Sequence, residues 1–316
     1  MATGIAQAAV HASGASAYIP LEKFTDTSNP NGSLPVGRER QPKFGPSILS
    51  LLRQIYDSPE LTPVLPYDPD ALLSKRVKDF VEGGIRLREL HRILGQFEPG
   101  NTAEALDERV EELIFVSTLL AFGTGKPHRK PRIDFFLMHL LTSSLFVPSF
   151  LKHMPNMEYK RTMLKTFLQP WGMMLMTRGR PRIDPKLLMS YTENPLPPNT
   201  PGQNPQPYSL GGECTNPWPA IISDVTHARD SHTPKALRTL LYGATRYGTL
   251  AKGDVIGAYE SDGKETHLGI GEVDGTVFIR AAGMLMETLG WVTHGQEEGN
   301  WDRSALGWDD AWKSED

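Results

Sequence analysis

Two short stretches hold the residues best suited to chemistry. His139 stands inside DFFLMHLLTSSLF, residues 134–146, the most apolar segment of the chain. Burying an imidazole costs free energy unless its nitrogens find partners. His139 is therefore either a core histidine bonded to a neighbour such as Ser143, one helical turn on, or a metal ligand facing a cavity. The second stretch is DVTHARDSHTPKALR, residues 224–238, with His227, His232 and Lys235. Thr233-Pro234 has the form of a helix start, with Thr as the cap and Pro in the first turn. That places Lys235 against the helix macrodipole, at a cost of about 0.3–1 kcal/mol. An amine that has reacted with carbon dioxide is an anion with two oxygen donors; it suits that position and can ligate a hard metal. An ordinary solvent-facing lysine accounts for the same residue, and His227 and His232 are by default polar loop positions.

Other chemistry is sparse. The one cysteine, Cys214, cannot form an internal disulfide or a thiolate cluster, so a reducing, cytoplasmic setting is the default. It lies in GGECTN with no histidine close in sequence, and reads as a loop thiol. Gly123-Thr124-Gly125-Lys126 resembles the end of a phosphate loop, but Leu120 and Pro127 stand where that loop needs Gly and Ser or Thr. Gly269, Gly271 and Gly275 miss the dinucleotide spacing by one residue. The C-terminal WDRSALGWDDAW, from Trp301 to Trp312, reads as a Trp-rich cap docking on the body, or as an aromatic wall against a planar substrate. Trp308 and Trp312 share a face if that end is helical.

The elements that must position these residues are helices. Ile48, Leu51, Leu52 and Ile55 recur at helical spacing, and so do Leu72, Leu73, Val77, Phe80 and Val81. Gly83-Gly84 breaks that run before Leu87, Leu90 and Leu94 resume it. Glu104 to Phe122 predicts a helix, with its acidic residues early, where they suit the positive end. Arg132 to Phe146, Met157 to Met176, a short piece at Pro185 to Tyr191, Thr233 to Gly248 and Ala281 to Leu289 follow. Leu268 to Ile279 mixes Gly with Val and Ile and suggests a short hairpin. No βαβ alternation and no repeat at solenoid spacing is present. The fold class is mainly α: one domain over 1–316, with a helical part at 1–193, a proline-rich connector at 194–219 and a second helical part at 220–316. The Pro- and Gly-rich stretch from Thr25 to Gly45 reads as an exposed loop.

Composition narrows the class. Of 316 residues, 39% are hydrophobic and 22% charged, which excludes a disordered tail and a membrane bundle. The net charge of −4 argues against nucleic acid or an anionic membrane as the main partner. The Ala-rich start has no Lys or Arg before Lys23, so it does not read as a secretory signal. Phe135 to Val147 falls short of the about 20 residues that span a bilayer and reads as a buried helix.

The stretch LDERVEELIFVSTLLAFGTGKPHRKPRIDFFLMHLLTSSLFVPSFL resembles the central segment of the fungal questin oxidase-like family. So do DSHTPKALRTLLYGATRYG and GWVTHGQEEGNWDRSALGWDDAW, and AQAAVH near the start is similar to a family stretch. The resemblance implies an oxidoreductase acting with dioxygen on planar aromatic polyketides such as anthraquinones. It implies either Baeyer–Villiger-type, NADPH-linked chemistry or ring cleavage by a non-haem iron held by histidines and a carboxylated lysine. By position, it points to His139 and Lys235 as metal ligands, and to His11 as a weaker site candidate that is not counted as a ligand. Phe135, Met138 and Trp171 are the candidate pocket walls. Two family motifs of the forms HNHxxH and HPLIH have no counterpart here. The expectation is accordingly of a domain short of its N-terminal part. The alternatives are a helical scaffold that kept the fold and lost the metal, or an NADPH-dependent oxygenase without metal.

Overall fold

The computed structural model describes residues 40–198 and 216–313. His11, Cys214 and most of both the Thr25–Gly45 loop and the proline connector lie outside the described residues. The helices are α1 (Ile48–Asp57), α2 (Leu73–Val81), α3 (Ile85–Leu94), α4 (Ala103–Phe122), α5 (Phe135–Ser144), α6 (Val147–His153), α7 (Met157–Thr177), α8 (Pro185–Met189), α9 (Trp218–Val225), α10 (His232–Tyr247) and α11 (Val277–Leu289). The mainly α expectation is met. Gly83 and Gly84 both take positive φ between α2 and α3, which is how the pair ends one helix and turns the chain into the next.

Helix α4 is the axis of the core. Thr102 caps it by accepting from the Ala105 N–H, and almost every side chain from Ala105 to Phe122 is buried. A helix apolar on all sides over its second half has no solvent face to offer and must be surrounded. Helices α1, α5, α10 and α11 all pack on it. The acidic residues early in α4 do more than face the positive helix end. Glu111 pairs with Arg40 at 2.6 Å, and buried Glu112 pairs with buried Arg109 at 2.5 Å and accepts from the Ile48 N–H at 2.7 Å. One continuous apolar core runs from Ile48 to Trp301 and takes in helices on both sides of the connector. Helices α10 and α11 approach closely at Gly243, where an added Cβ would stand 2.5 Å from the Phe278 ring.

Three local expectations are corrected. Residues 268–279 do not form a hairpin: Ile270–Glu272 is a single 3₁₀ turn, and Val277 already begins α11. Phe278 is drawn into the core, its ring 4.9 Å from Phe115, and core burial of this kind overrides local strand preference. Helix α10 starts at His232 and not at Thr233, because Asp230 accepts from the His232 N–H and closes the turn before it. Trp308 precedes a 3₁₀ turn over Asp309–Trp312 that Trp312 ends, so the two indoles do not share an α-helical face. They cap the body separately. Trp308 donates to Val64 O, packs on Gly179 and carries the Arg76 guanidinium on its ring, while Trp312 donates to Leu306 O and carries Arg132. The helical stretch Phe135–His153 is apolar and long enough to cross a membrane by length and composition, but it is broken at Leu145 and Phe146. Leu137, Met138, Leu140 and Leu141 within it belong to the protein core.

A buried histidine sets a pH dependence. His267 is 6% exposed, packs edge-on against Tyr56 and has no hydrogen-bond partner on either ring nitrogen. Burial, reinforced by the nearby Arg53 charge, pushes its pKa down to about 4. The unfolded chain titrates near the ordinary value of about 6.5 and takes up the proton first. The contribution of His267 to stability is therefore whole above that value and is lost as pH falls toward 4. Unfolding free energies from urea titrations between about pH 7 and about pH 4 should fall more steeply for the native protein than for His267→Leu, by a difference of about 3 kcal/mol. Parallel curves for the two proteins would remove His267 as the titrating group.

Candidate functional site

The site is built where the start of α5 meets the start of α10. Asp134 caps α5: one carboxylate oxygen accepts from the Phe136 and Leu137 N–H groups, and the other accepts from Arg178 Nε at 2.8 Å. Asp134 and Arg178 side chains are 0% and 1% exposed. The cap sets the first turn of α5, and the helix then places Phe135 and His139 one turn apart on one face. On the other side, Glu298 accepts from the Arg229 and Asp230 N–H groups and orders the loop before α10. This brings His232 over Phe135.

The result is an aromatic and imidazole cluster. The Phe135 ring centroid lies 4.9 Å from each of the His139 and His232 rings, and the two imidazoles are 5.3 Å apart. His139 Nδ1 bonds to the Phe135 carbonyl at 2.8 Å. The expected partner Ser143 is engaged elsewhere, donating to Leu140 O. A carbonyl only accepts, so Nδ1 carries the hydrogen and Nε2 is left as the electron-pair donor. Burial lowers the His139 pKa below its ordinary value; the bond to Phe135 opposes this, and the charges of His232, Lys235 and Arg303 add to the lowering. The neutral ring is thereby favoured at neutral pH. His232 Nδ1 contacts Asp230 Oδ1 at 2.7 Å, which likewise directs Nε2 away from the carboxylate. Burial works against the Asp230 carboxylate, but the His232 hydrogen bonds, with the charges of His232 and Arg303, outweigh it and hold the pKa below the usual range.

Two imidazoles with Nδ1 tied to oxygen and Nε2 free have the outer-sphere arrangement of metal-binding histidines. In donor chemistry they fit a non-haem iron, for which imidazole is a suitable ligand. Among the described residues no group of three His, Cys, Asp or Glu converges to hold a metal, so the pair would be part of a ligand set. Lys235 lies near enough to act on His139 through its charge. It is exposed, stands in the fourth position of α10, and donates to Ser231 Oγ at 3.4 Å.

Of the other sequence candidates, Phe135 is the wall of this cluster, whereas Met138 and Trp171 are core residues at 0% and 2% exposure. Trp171 Nε1 is directed at Ser117 Oγ. His227 is exposed and hydrogen-bonded to Ser223 O, within its own helix end. The residue that sequence reasoning passed over is His232. The available signal was the spacing Asp230-x-His232, which lets a carboxylate fix an imidazole tautomer. Arg303, stacked on Phe135 with its Cζ 3.6 Å from the ring centroid, carried no signal at all.

Comparison with known proteins supplies the family. No curated protein matches the chain. The family model described as questin oxidase-like matches residues 1–240, a span that holds His139, His232 and Lys235 and stops short of the Trp-rich segment. With that match over most of its length, the chain belongs to the questin oxidase-like family.

Proposed function

We propose that this chain is an oxygenase-type oxidoreductase that acts on planar aromatic polyketides such as anthraquinones, with NADPH as electron donor. Family membership implies an oxidoreductase of secondary metabolism. The observation that carries the finer reading is the His139–His232 pair: two oriented imidazoles against an aromatic ring, partly open to solvent. A non-haem iron, when bound, supplies the chemistry with dioxygen that no side chain can perform. His139 and His232 would hold it through Nε2, and Lys235 would join them once its amine carries carbon dioxide as a carbamate. Phe135, with the Arg303 guanidinium on its ring, stands beside the pair as part of the wall for a planar substrate. Asp230 holds His232 in one tautomer.

Iron analysis of the purified full chain tests this. Stoichiometric iron is expected in the native protein, and His139→Ala and His232→Ala should each weaken iron binding by about 10- to 100-fold or more. Stoichiometric iron unchanged in both variants would remove the pair as ligands. A second reading is favoured by the lack of a third converging ligand among the described residues: a helical binding protein that keeps the fold without the metal. A native chain that binds no iron yet holds the aromatic compound would select it.

A further inference from the structure

Arg303 lies where the C-terminal segment crosses the start of α5. The crossing is built by backbone. Phe135 N–H donates to Asp302 O, Asp302 N–H donates to Ile133 O, and Arg178 Nη2 donates to Arg303 O at 2.8 Å. Asp302 also pairs with Arg132 at 2.7 Å. The position of Arg303 is therefore set without its side chain. That side chain is exposed, and its guanidinium lies flat enough on Phe135 to bring Cζ 3.6 Å from the ring centroid. Among the described residues the guanidinium makes no hydrogen bond and no ion pair. Its face is taken by the ring, and its fork of N–H donors is free at the edge.

The surroundings favour an anion. The same Phe135 ring touches His139 and His232. The neighbouring carboxylates are already engaged, Asp230 by His232 and Asp302 by Arg132. A planar guanidinium pairs best with a planar oxyanion, through two parallel hydrogen bonds or one short one. A cation held on an aromatic ring also keeps its orientation, so the fork is preorganised.

We propose that Arg303 is a specificity-determining residue that binds an ionised oxygen, phenolate or carboxylate, on the planar aromatic substrate and orients the ring toward the His139–His232 pair. This rests on the reading of the cluster as an aromatic-substrate site, and adds to it the charge of the ligand and the residue that recognises it. Arg303 lies beyond the residues that the family model matches.

The test is equilibrium binding to the full chain, iron-loaded and chelator-treated. Three probes are used: a dihydroxyanthraquinone, its neutral dimethyl ether and an anthraquinone carboxylate. Absorbance of the phenolate band reports the ionisation of the bound hydroxyl. Arg303→Met keeps the length and the contact with Phe135 and removes the charge; Arg303→Lys restores the charge without the fork. The native protein should bind an oxyanion probe more tightly than the ether. Arg303→Met should lose about 10- to 100-fold of that affinity while the ether changes less than about twofold, and Lys should recover part of it. A lowered phenol pKa on binding, abolished in Arg303→Met, identifies the phenolate as the ligand group; an Arg303-dependent carboxylate with no phenol shift identifies the carboxylate. Equal binding of oxyanion and ether, or oxyanion binding unchanged in Arg303→Met, overturns the assignment and leaves the aromatic-site reading standing. Failure of the native protein to bind any of the three probes overturns both.

Discussion

Arg178→Met is expected to destabilise the protein by about 3–5 kcal/mol and to weaken the proposed metal binding at the His139–His232 pair together with the fold. The reasoning starts from burial. Arg178 and Asp134 are 1% and 0% exposed, 2.8 Å apart, and neither can reach water. Removing the guanidinium leaves a buried carboxylate whose remaining partners are two backbone N–H groups. It also strips a donor from Arg303 O and a cation from the face of Phe136. Asp134 is the cap of α5, so the strain falls on the turn that carries Phe135 and leads to His139. Asp134→Asn in the same background should cost less than its effect alone, because it removes the carboxylate that has lost its partner; the two changes together should be clearly non-additive. Urea denaturation of the two single variants and the double variant measures the coupling. Iron or aromatic-probe binding, measured below the unfolding transition, separates positioning from mere stability. Loss of stability with binding fully retained would mean that the pair supports the fold but does not position the site.

Arg109→Met should destabilise by a similar amount, about 3–5 kcal/mol, and leave the site alone where the protein stays folded. Arg109 is the busiest buried cation described. It pairs with Glu112, and it donates to the carbonyls of Phe44, Pro46 and Glu98 while lying over the Phe97 ring. Those carbonyls belong to two segments that precede α4 in the chain. The guanidinium therefore stitches the chain before α1 and the loop after α3 to the central helix. Methionine can fill much of the volume but satisfies none of these acceptors. Glu112→Gln keeps an acceptor for Arg109 and should be milder than Arg109→Met. A Gln variant as damaged as the Met variant would place the stabilisation in the charge of Glu112 and not in the carbonyl network. Together the two arginine variants form a contrast: Arg178 holds the α5 cap and the Arg303 carbonyl, whereas the partners of Arg109 include no site residue, and only the first should alter binding.

The helices were legible because helical order is local. Apolar residues three and four apart mark a face, and Ser47, Thr102, Asp134, Asn156 and Asp184 cap their helices with their own side chains. Local signals also misled where they were short. The run Leu268–Ile279 carries strand-like residues, and a run of that length does not distinguish strand from helix until something packs on it. Phe278 against Phe115 decides the matter. Asp134 shows a further limit: the cap could be read from its position before an apolar helix, whereas its bond to Arg178 could not.

The candidate site divides the same way. From the sequence alone came a mainly α chain, an imidazole embedded in an apolar helix, a lysine in the first turns of another, a family resemblance that named both, and a single cysteine that cannot form an internal disulfide or a thiolate cluster. Those are properties of composition, spacing and neighbours along the chain. Tertiary structure decided that His139 meets His232, that Asp230 fixes the second imidazole, and that Arg303 lies on the ring both histidines share. These contacts join α5, α10 and the C-terminal segment, elements far apart in sequence. Their distances are set by how the helices pack around α4, and no periodicity within a single stretch encodes that packing.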